Sequence, residues 1–178
     1  MREELIIIQP PLAHESVKGP MMNRKKTMSE EEYLRDRRSP VPSSEAVSKV
    51  MRANKGKDTS PEIRLRAALR EAGLLGYRLH WKAVPGRPDI VYTRYKLAIF
   101  VNGCFWHRCP TCALPAPKAN REFWDAKLKK NMERDERKIA ELEEAGWSVL
   151  VCWEHEIRDD LNACVQKVSA RLKDLARR

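Results

Sequence analysis

The stretch LAIFVNGCFWHRCPTC, residues 97–112, runs a strand pattern directly into a metal-ligand pattern. Leu97 to Val101 is apolar at every position, which predicts a central strand covered on both faces. Such a strand needs partners beside it and helices above and below it. The flanking sequence offers both. Upstream, residues 77–81 and 88–92 read as short extended segments, with turns at Pro85 and Gly86 and near Arg94. Further upstream, Ser60 as N-cap and Pro61 at the first position open a helix that Gly73 ends, with Ile63, Leu65, Ala68 and Leu69 as its apolar side. Downstream, residues 121–145 form a long helical pattern closed by Gly146, and residues 147–153 repeat the interior-strand pattern. Leu161, Cys164, Val165, Val168, Leu172 and Leu175 then mark an amphipathic C-terminal helix. The expectation is an α/β fold: one domain over residues 47–178, with a central mixed sheet flanked by helices.

Composition narrows the partner. The 178 residues carry 35 Lys and Arg against 25 acidic residues, a net charge of +10, which suits a polyanion whose condensed counterions are released on binding. DNA, RNA and an anionic membrane surface all satisfy that balance. No apolar run approaches the roughly 18 residues of a membrane span. The short run at residues 5–8 follows Glu3 and Glu4, unlike a secretory signal, so a cytoplasmic protein is expected. Residues 1–46 hold Pro10, Pro11, Pro20, Pro40 and Pro42 without an apolar period, and read as a flexible N-terminal extension in which Met21, Met22 and Met28 are alternative starts.

Two sets of residues carry chemistry. Asp89, in Gly86-Arg87-Pro88-Asp89, stands where a turn feeds a strand, so its carboxylate can meet a hard cation such as Mg²⁺, and Glu62 is supplied by the preceding helix. Cys104, Cys109 and Cys112 give three thiolates in one loop, and a tetrahedral zinc ion needs a fourth ligand. His107 and His155 both qualify. An odd total of five cysteines fits metal ligation plus core thiols, Cys152 and Cys164 being the latter.

Five ordered blocks make the pattern specific: MRANKGKDTSPE from Met51, PGRPDIV from Pro85, AIFVNGCFWHRCP from Ala98, EFWDAKLKKN from Glu122 with Arg134-Asp135 just beyond, and GWSVLVCWEHE from Gly146. Over residues 51–156 the chain resembles the very-short-patch repair endonucleases, a branch of the restriction-endonuclease-like fold. The resemblance implies that Asp89 is the essential metal carboxylate, that the Val101 carbonyl helps to ligate metal, and that two Mg²⁺ ions serve catalysis. It implies Glu62 as the helix carboxylate near the metals and His107 as the catalytic histidine. Asn102 stands where some members carry a second histidine; an amide cannot shuttle a proton, so a two-histidine mechanism does not transfer directly. The resemblance also favours His155 as the fourth ligand of one structural Zn²⁺, with Cys104, Cys109 and Cys112.

For DNA, the resemblance implies that Phe105, Trp106 and Trp124 wedge into the base stack. Trp124, Lys127 and Asn131 share a helical stripe that continues to Arg134 and Lys138, while Leu128, Met132, Ile139 and Leu142 would face the core. Met51, Lys127 and Asn131 are the residues expected around the mispaired bases. The implied activity is hydrolysis of one phosphodiester 5′ to the thymine of a T:G mispair in double-stranded DNA, the lesion left by deamination of 5-methylcytosine. A cytosine-5 DNA methyltransferase is then the natural functional companion, other mismatch-repair proteins are candidate partners, and a monomer in the bacterial cytoplasm, at the nucleoid, suits an asymmetric lesion. Two alternatives remain in view: a non-catalytic zinc-containing DNA-binding module, and a related nuclease without mismatch specificity.

Overall fold

The computed structural model describes Glu45, Ala46, Lys49 and residues 53–177; the proposed extension therefore lies almost wholly outside the described residues, and so does Met51. Glu45 and Ala46 are helical. Four strands, β1 (Arg78–Leu79), β2 (Ile90–Tyr92), β3 (Leu97–Asn102) and β4 (Ser148–Trp153), form one sheet in that spatial order. β1, β2 and β3 are antiparallel in turn, whereas β3 and β4 are parallel, with Leu97 opposite Ser148 and Asn102 opposite Trp153. A parallel neighbour requires a crossover, and helix α2 (Arg121–Glu144) supplies it. The sheet is mixed and flanked by helices, the α/β arrangement that the sequence predicts.

The all-apolar β3 is explained by cover on both sides. Leu97 and Ile99 join Leu65, Leu69, Leu150, Cys152, Cys164 and Val168 in the main core, under α1 (Ser60–Glu71) and α4 (Leu161–Ala176). Ala98 and Phe100 face the other way, onto Leu142 of α2. Cys152 and Cys164 are indeed core thiols, 0% and 3% exposed. A short helix, α3 (Glu154–Asp159), follows β4 directly, and sequence periodicity over so few residues does not announce it.

Several local expectations need correction. The N-cap of α1 is Thr59, one residue before Ser60, because Glu62 reaches back to accept from the Thr59 N–H (3.3 Å) and hydroxyl (2.8 Å). Glu62, Leu65 and Leu69 define the buried face of α1; Ile63 points to the opposite side and is 53% exposed. The first strand spans Arg78–Leu79 only, because His80 takes a left-handed backbone, φ 46°, that turns the chain away. On α2, Met132 lies at the margin of the buried stripe and is exposed, whereas Trp124, about five turns from Leu142 and so at the same angle, is buried.

Gly86 shows how closely the Asp89 turn meets α2. Its φ is +73°, and an added Cβ would lie 2.9 Å from Lys138 Cβ. Gly86→Ala is expected to destabilise the fold by about 1–3 kcal/mol, from left-handed strain together with forced separation of turn and helix. The midpoint of urea unfolding reads this directly; an unchanged midpoint would show that the turn yields freely.

Candidate active site

The C-terminal end of β3 and the antiparallel start of β2 lie side by side, which brings Asp89 beside Val101. The Val101 N–H donates to Asp89 Oδ2 at 2.8 Å, and the Asp89 N–H donates to the Ile99 carbonyl at 3.1 Å. Asp89 opens onto a cleft of about 1110 Å³ that Glu62, Val101, Asn102 and His107 also line. All five expected catalytic residues are thus brought to one place. Burial pushes the Asp89 carboxyl above its ordinary range; the Val101 hydrogen bond opposes this, and the negative charge of Glu62 adds to it. A cation beside Asp89 would relieve both upward effects.

Glu62 is nearly buried, and its position is fixed locally. Oε2 accepts from the Asp58 N–H at 3.0 Å, and Oε1 from the Thr59 backbone and hydroxyl. Asp58 is in turn held by Arg66 at 2.8 Å. Asn102 is buried at the strand end, 9% exposed.

His107 is paired with a residue that the sequence did not single out. Its Nδ1 lies 2.5 Å from Asp135 Oδ2, and Asp135 also meets Lys138 Nζ at 3.4 Å. Burial opposes ionisation of Asp135, but the His107 hydrogen bond and the neighbouring positive charges prevail and lower its pKa. An ionised Asp135 can only accept, so Nδ1 of the imidazole meets it as donor and Nε2 is the nitrogen left for other partners. The available signal was Arg134-Asp135 itself, one turn beyond Asn131 on α2.

The cysteine loop folds back onto α3. The ligand atoms of Cys104, Cys109, Cys112 and His155 all lie within 4.8 Å of one another, with His155 Nδ1 at 3.3 Å from Cys104 Sγ and 3.5 Å from Cys109 Sγ. A tetrahedral zinc site has ligand edges of roughly 3.3–3.8 Å, and the two distances from His155 fall in that range, so the donor set could hold that ion. His155, and not His107, completes this set. Burial pushes the Cys104 thiol up to about 12, so a cation is needed to hold it as thiolate. The Cys104 N–H donates to Glu154 Oε2 at 3.1 Å, a second tie between loop and α3 that sequence reading missed.

Beside the metal loop lies an aromatic cluster. Phe105 and Trp106 pack edge to face, with centroids 5.1 Å apart, and both line the cleft. Trp124 sits 5.9 Å from each and does not line the cleft; it is 7% exposed and forms their floor together with Phe123. Lys127 Nζ lies 5.3–5.7 Å from the rings of Phe123, Trp124 and Trp106, and burial lowers its pKa. Asn131 Nδ2 donates to the Trp106 carbonyl at 3.1 Å, fixing the loop from behind.

Comparison with known proteins agrees with this geometry. Residues 41–113 match the family model described as DNA mismatch endonuclease Vsr. The chain is 40% identical over 127 residues to the DNA mismatch endonuclease Vsr of Escherichia coli (strain K12), covering 71% of this chain and 81% of that one. It is 41% identical over 133 residues to the type II nicking enzyme V.NaeI of Lentzea aerocolonigenes, covering 71% and 78%. Among solved structures, the catalytic domain of the homing endonuclease I-Bth0305I aligns with TM-score 0.47 and 24% identity, over 66% of this chain and 98% of that one. At this identity and over this share of both sequences, the chain belongs to the Vsr family of DNA mismatch endonucleases.

Proposed function

We propose that this Vsr-family endonuclease nicks one strand of duplex DNA 5′ to the thymine of a T:G mispair. One observation carries the reading: Asp89, the His107–Asp135 pair and the Phe105–Trp106 rings open onto the same cleft. A cutting centre and a base-stacking wall are thereby within reach of one bound duplex. Arg87, Arg134 and Lys138 line the same cleft and suit the phosphate backbone.

The chain's own groups divide the work. Asp89 and the Val101 carbonyl offer hard oxygen donors to Mg²⁺, with Glu62 close by, and this donor chemistry fits one or two such ions. Divalent ions bound there supply charge neutralisation at the scissile phosphate and the leaving 3′ oxygen. Asp135 holds His107 so that Nε2 can take the proton from the attacking water. Zn²⁺ held by Cys104, Cys109, Cys112 and His155 would anchor the loop that carries Phe105, Trp106 and His107. Phe105 and Trp106 would enter the stack beside the weakened wobble pair, while Trp124, Lys127 and Asn131, none of which lines the cleft, would hold that aromatic wall in place. We assign catalysis to residues 47–178, with a cytosine-5 DNA methyltransferase as functional companion. Among the described residues no helix is long and apolar enough to cross a membrane.

The test is nicking of paired duplexes that differ only in a T:G or a T:A pair. We expect a strong preference for the mispair, and Trp106→Ala should cost about 1–3 kcal/mol of mismatch binding while leaving matched binding nearly unchanged. Equal cutting of both duplexes would replace this reading with a related nuclease without mismatch specificity.

A further inference from the structure

His80 has no part in the reading so far, yet its ring stands between the two carboxylates of the cleft. Its backbone is left-handed, φ 46°, and its N–H donates to the Asp89 carbonyl at 3.2 Å, which ties it to the start of β2. Nδ1 lies 3.6 Å from Asp89 Oδ1, and Nε2 lies 3.6 Å from both Glu62 Oε2 and Asp58 Oδ1. The side chain is 16% exposed, and Nε2 is buried without a hydrogen-bond partner. A buried, unsatisfied ring nitrogen is costly, and so is a left-handed backbone in a residue other than glycine. Both costs are borne at one residue, beside the proposed metal carboxylate.

Two chemical roles are open to such a ring. As an ion ligand it would act with Asp58 and Glu62, whose donor atoms lie within 4.8 Å of one another and of His80. The neighbours argue against that. The Arg66 guanidinium already meets Asp58 at 2.8 Å and Glu62 at 3.9 Å, so a cation occupies that side of the cluster. The Glu62 oxygens also accept three hydrogen bonds from Asp58 and Thr59. A divalent ion there would face a fixed positive charge and competing donors.

The other role follows from repulsion. Asp89 and Glu62 face each other's charge in a partly buried site, and the raised pKa of Asp89 records part of that conflict. The imidazole keeps the two groups apart and presents one nitrogen toward each. At 3.6 Å these approaches are longer than hydrogen bonds, and a shift of a few tenths of an ångström would convert either into one.

We propose that His80 is a positioning residue, a spacer that holds the Glu62 carboxylate off Asp89 and so sets the aim of the Asp89 carboxylate for divalent-cation binding. The inference rests on the reading of Asp89 as a cation ligand, so its test must separate the two. Groups that orient metal ligands typically contribute 10- to 100-fold to metal affinity.

The experiment measures Mn²⁺ binding to zinc-loaded, full-length protein by electron paramagnetic resonance of the free ion, without DNA or turnover. Wild type is compared with His80→Asn, His80→Gln and Asp89→Asn. Asn tolerates a left-handed backbone but is too short to span the gap; Gln restores the reach. We expect Mn²⁺ affinity to fall at least about ten-fold in His80→Asn, with recovery in His80→Gln, and to be lost in Asp89→Asn. Retained zinc establishes that each variant is folded; if His80→Asn does not fold, His80→Gly, which also tolerates the left-handed backbone and spans nothing, takes its place in the comparison. Unchanged affinity in His80→Asn, with loss in Asp89→Asn, overturns the spacer role and leaves the metal reading standing. A folded His80→Gln no better than Asn also overturns the spacer role. Unchanged affinity in Asp89→Asn overturns the metal reading, and the spacer role with it.

Discussion

Asp89→Asn is expected to lower nicking of a T:G duplex by at least about 10³-fold, since a metal ligand supports several kcal/mol of transition-state charge stabilisation and each 1.36 kcal/mol is tenfold in rate. Mismatch binding should change little, because Asp89 makes no attractive contact with a phosphate on its own and its loss removes a negative charge from the cleft. The substitution is nearly isosteric, and one amide oxygen can still accept the Val101 N–H that fixes this corner of the sheet. Single-turnover nicking and binding to an uncleaved T:G duplex should therefore separate sharply. Near-normal nicking by a folded variant would remove Asp89 from catalysis.

The second large effect is loss of the zinc donors. His155→Ala should abolish tight binding of about one Zn²⁺ per chain, since three thiolates without an imidazole leave the tetrahedron open. His107→Ala should leave zinc content intact, because His107 is committed to Asp135 and does not belong to the ligand cluster. Without the ion the loop would keep only the Cys104 N–H bond to Glu154 as its described tie to α3, and the buried Cys104 and Cys109 thiols would lose their cation. A loss of at least about 3 kcal/mol is expected, which lowers Tm by roughly 6–12 °C in a chain of this size. The same variant should lose mismatch binding, since Phe105 and Trp106 lie between the ligands Cys104 and Cys109. Zinc retained by His155→Ala and lost by His107→Ala would exchange the two roles.

The parts of the fold that could be read in advance are those set by short-range pattern. An all-apolar run is stable as a strand only when both faces are covered, so Leu97 to Val101 announced a central β3 before any partner was known. A long periodic segment after it implied the crossover that makes β3 and β4 parallel. Cysteine spacing within one loop is likewise local, and it gave three of the four donors without a structure. The fourth was narrowed to two histidines by chemistry, and the resemblance favoured the one that the folded chain brings into the cluster.

Boundaries and faces were less legible because each depends on which competing contact wins. Thr59 displaced Ser60 as cap because the Glu62 side chain bends back upon it. Ile63 was read as core from composition, yet the buried face of α1 is fixed by Leu65, Leu69 and the polar Glu62. Trp124 was grouped with Lys127, although the buried face of α2 also includes its angle.

By itself the sequence determined the fold class, the order of the longer elements and the chemistry available, since backbone preference, apolar period and ligand type act over a few residues, whereas the short α3 went unread. Tertiary structure decided which of those groups meet. His107 finds Asp135 on α2, His155 closes on the cysteine loop, and His80 comes between Glu62 and Asp89. None of these pairings is encoded by spacing along the chain. Each is set by how the sheet and helices pack, because a side chain's partner depends on the direction of two backbones that sequence period alone does not relate.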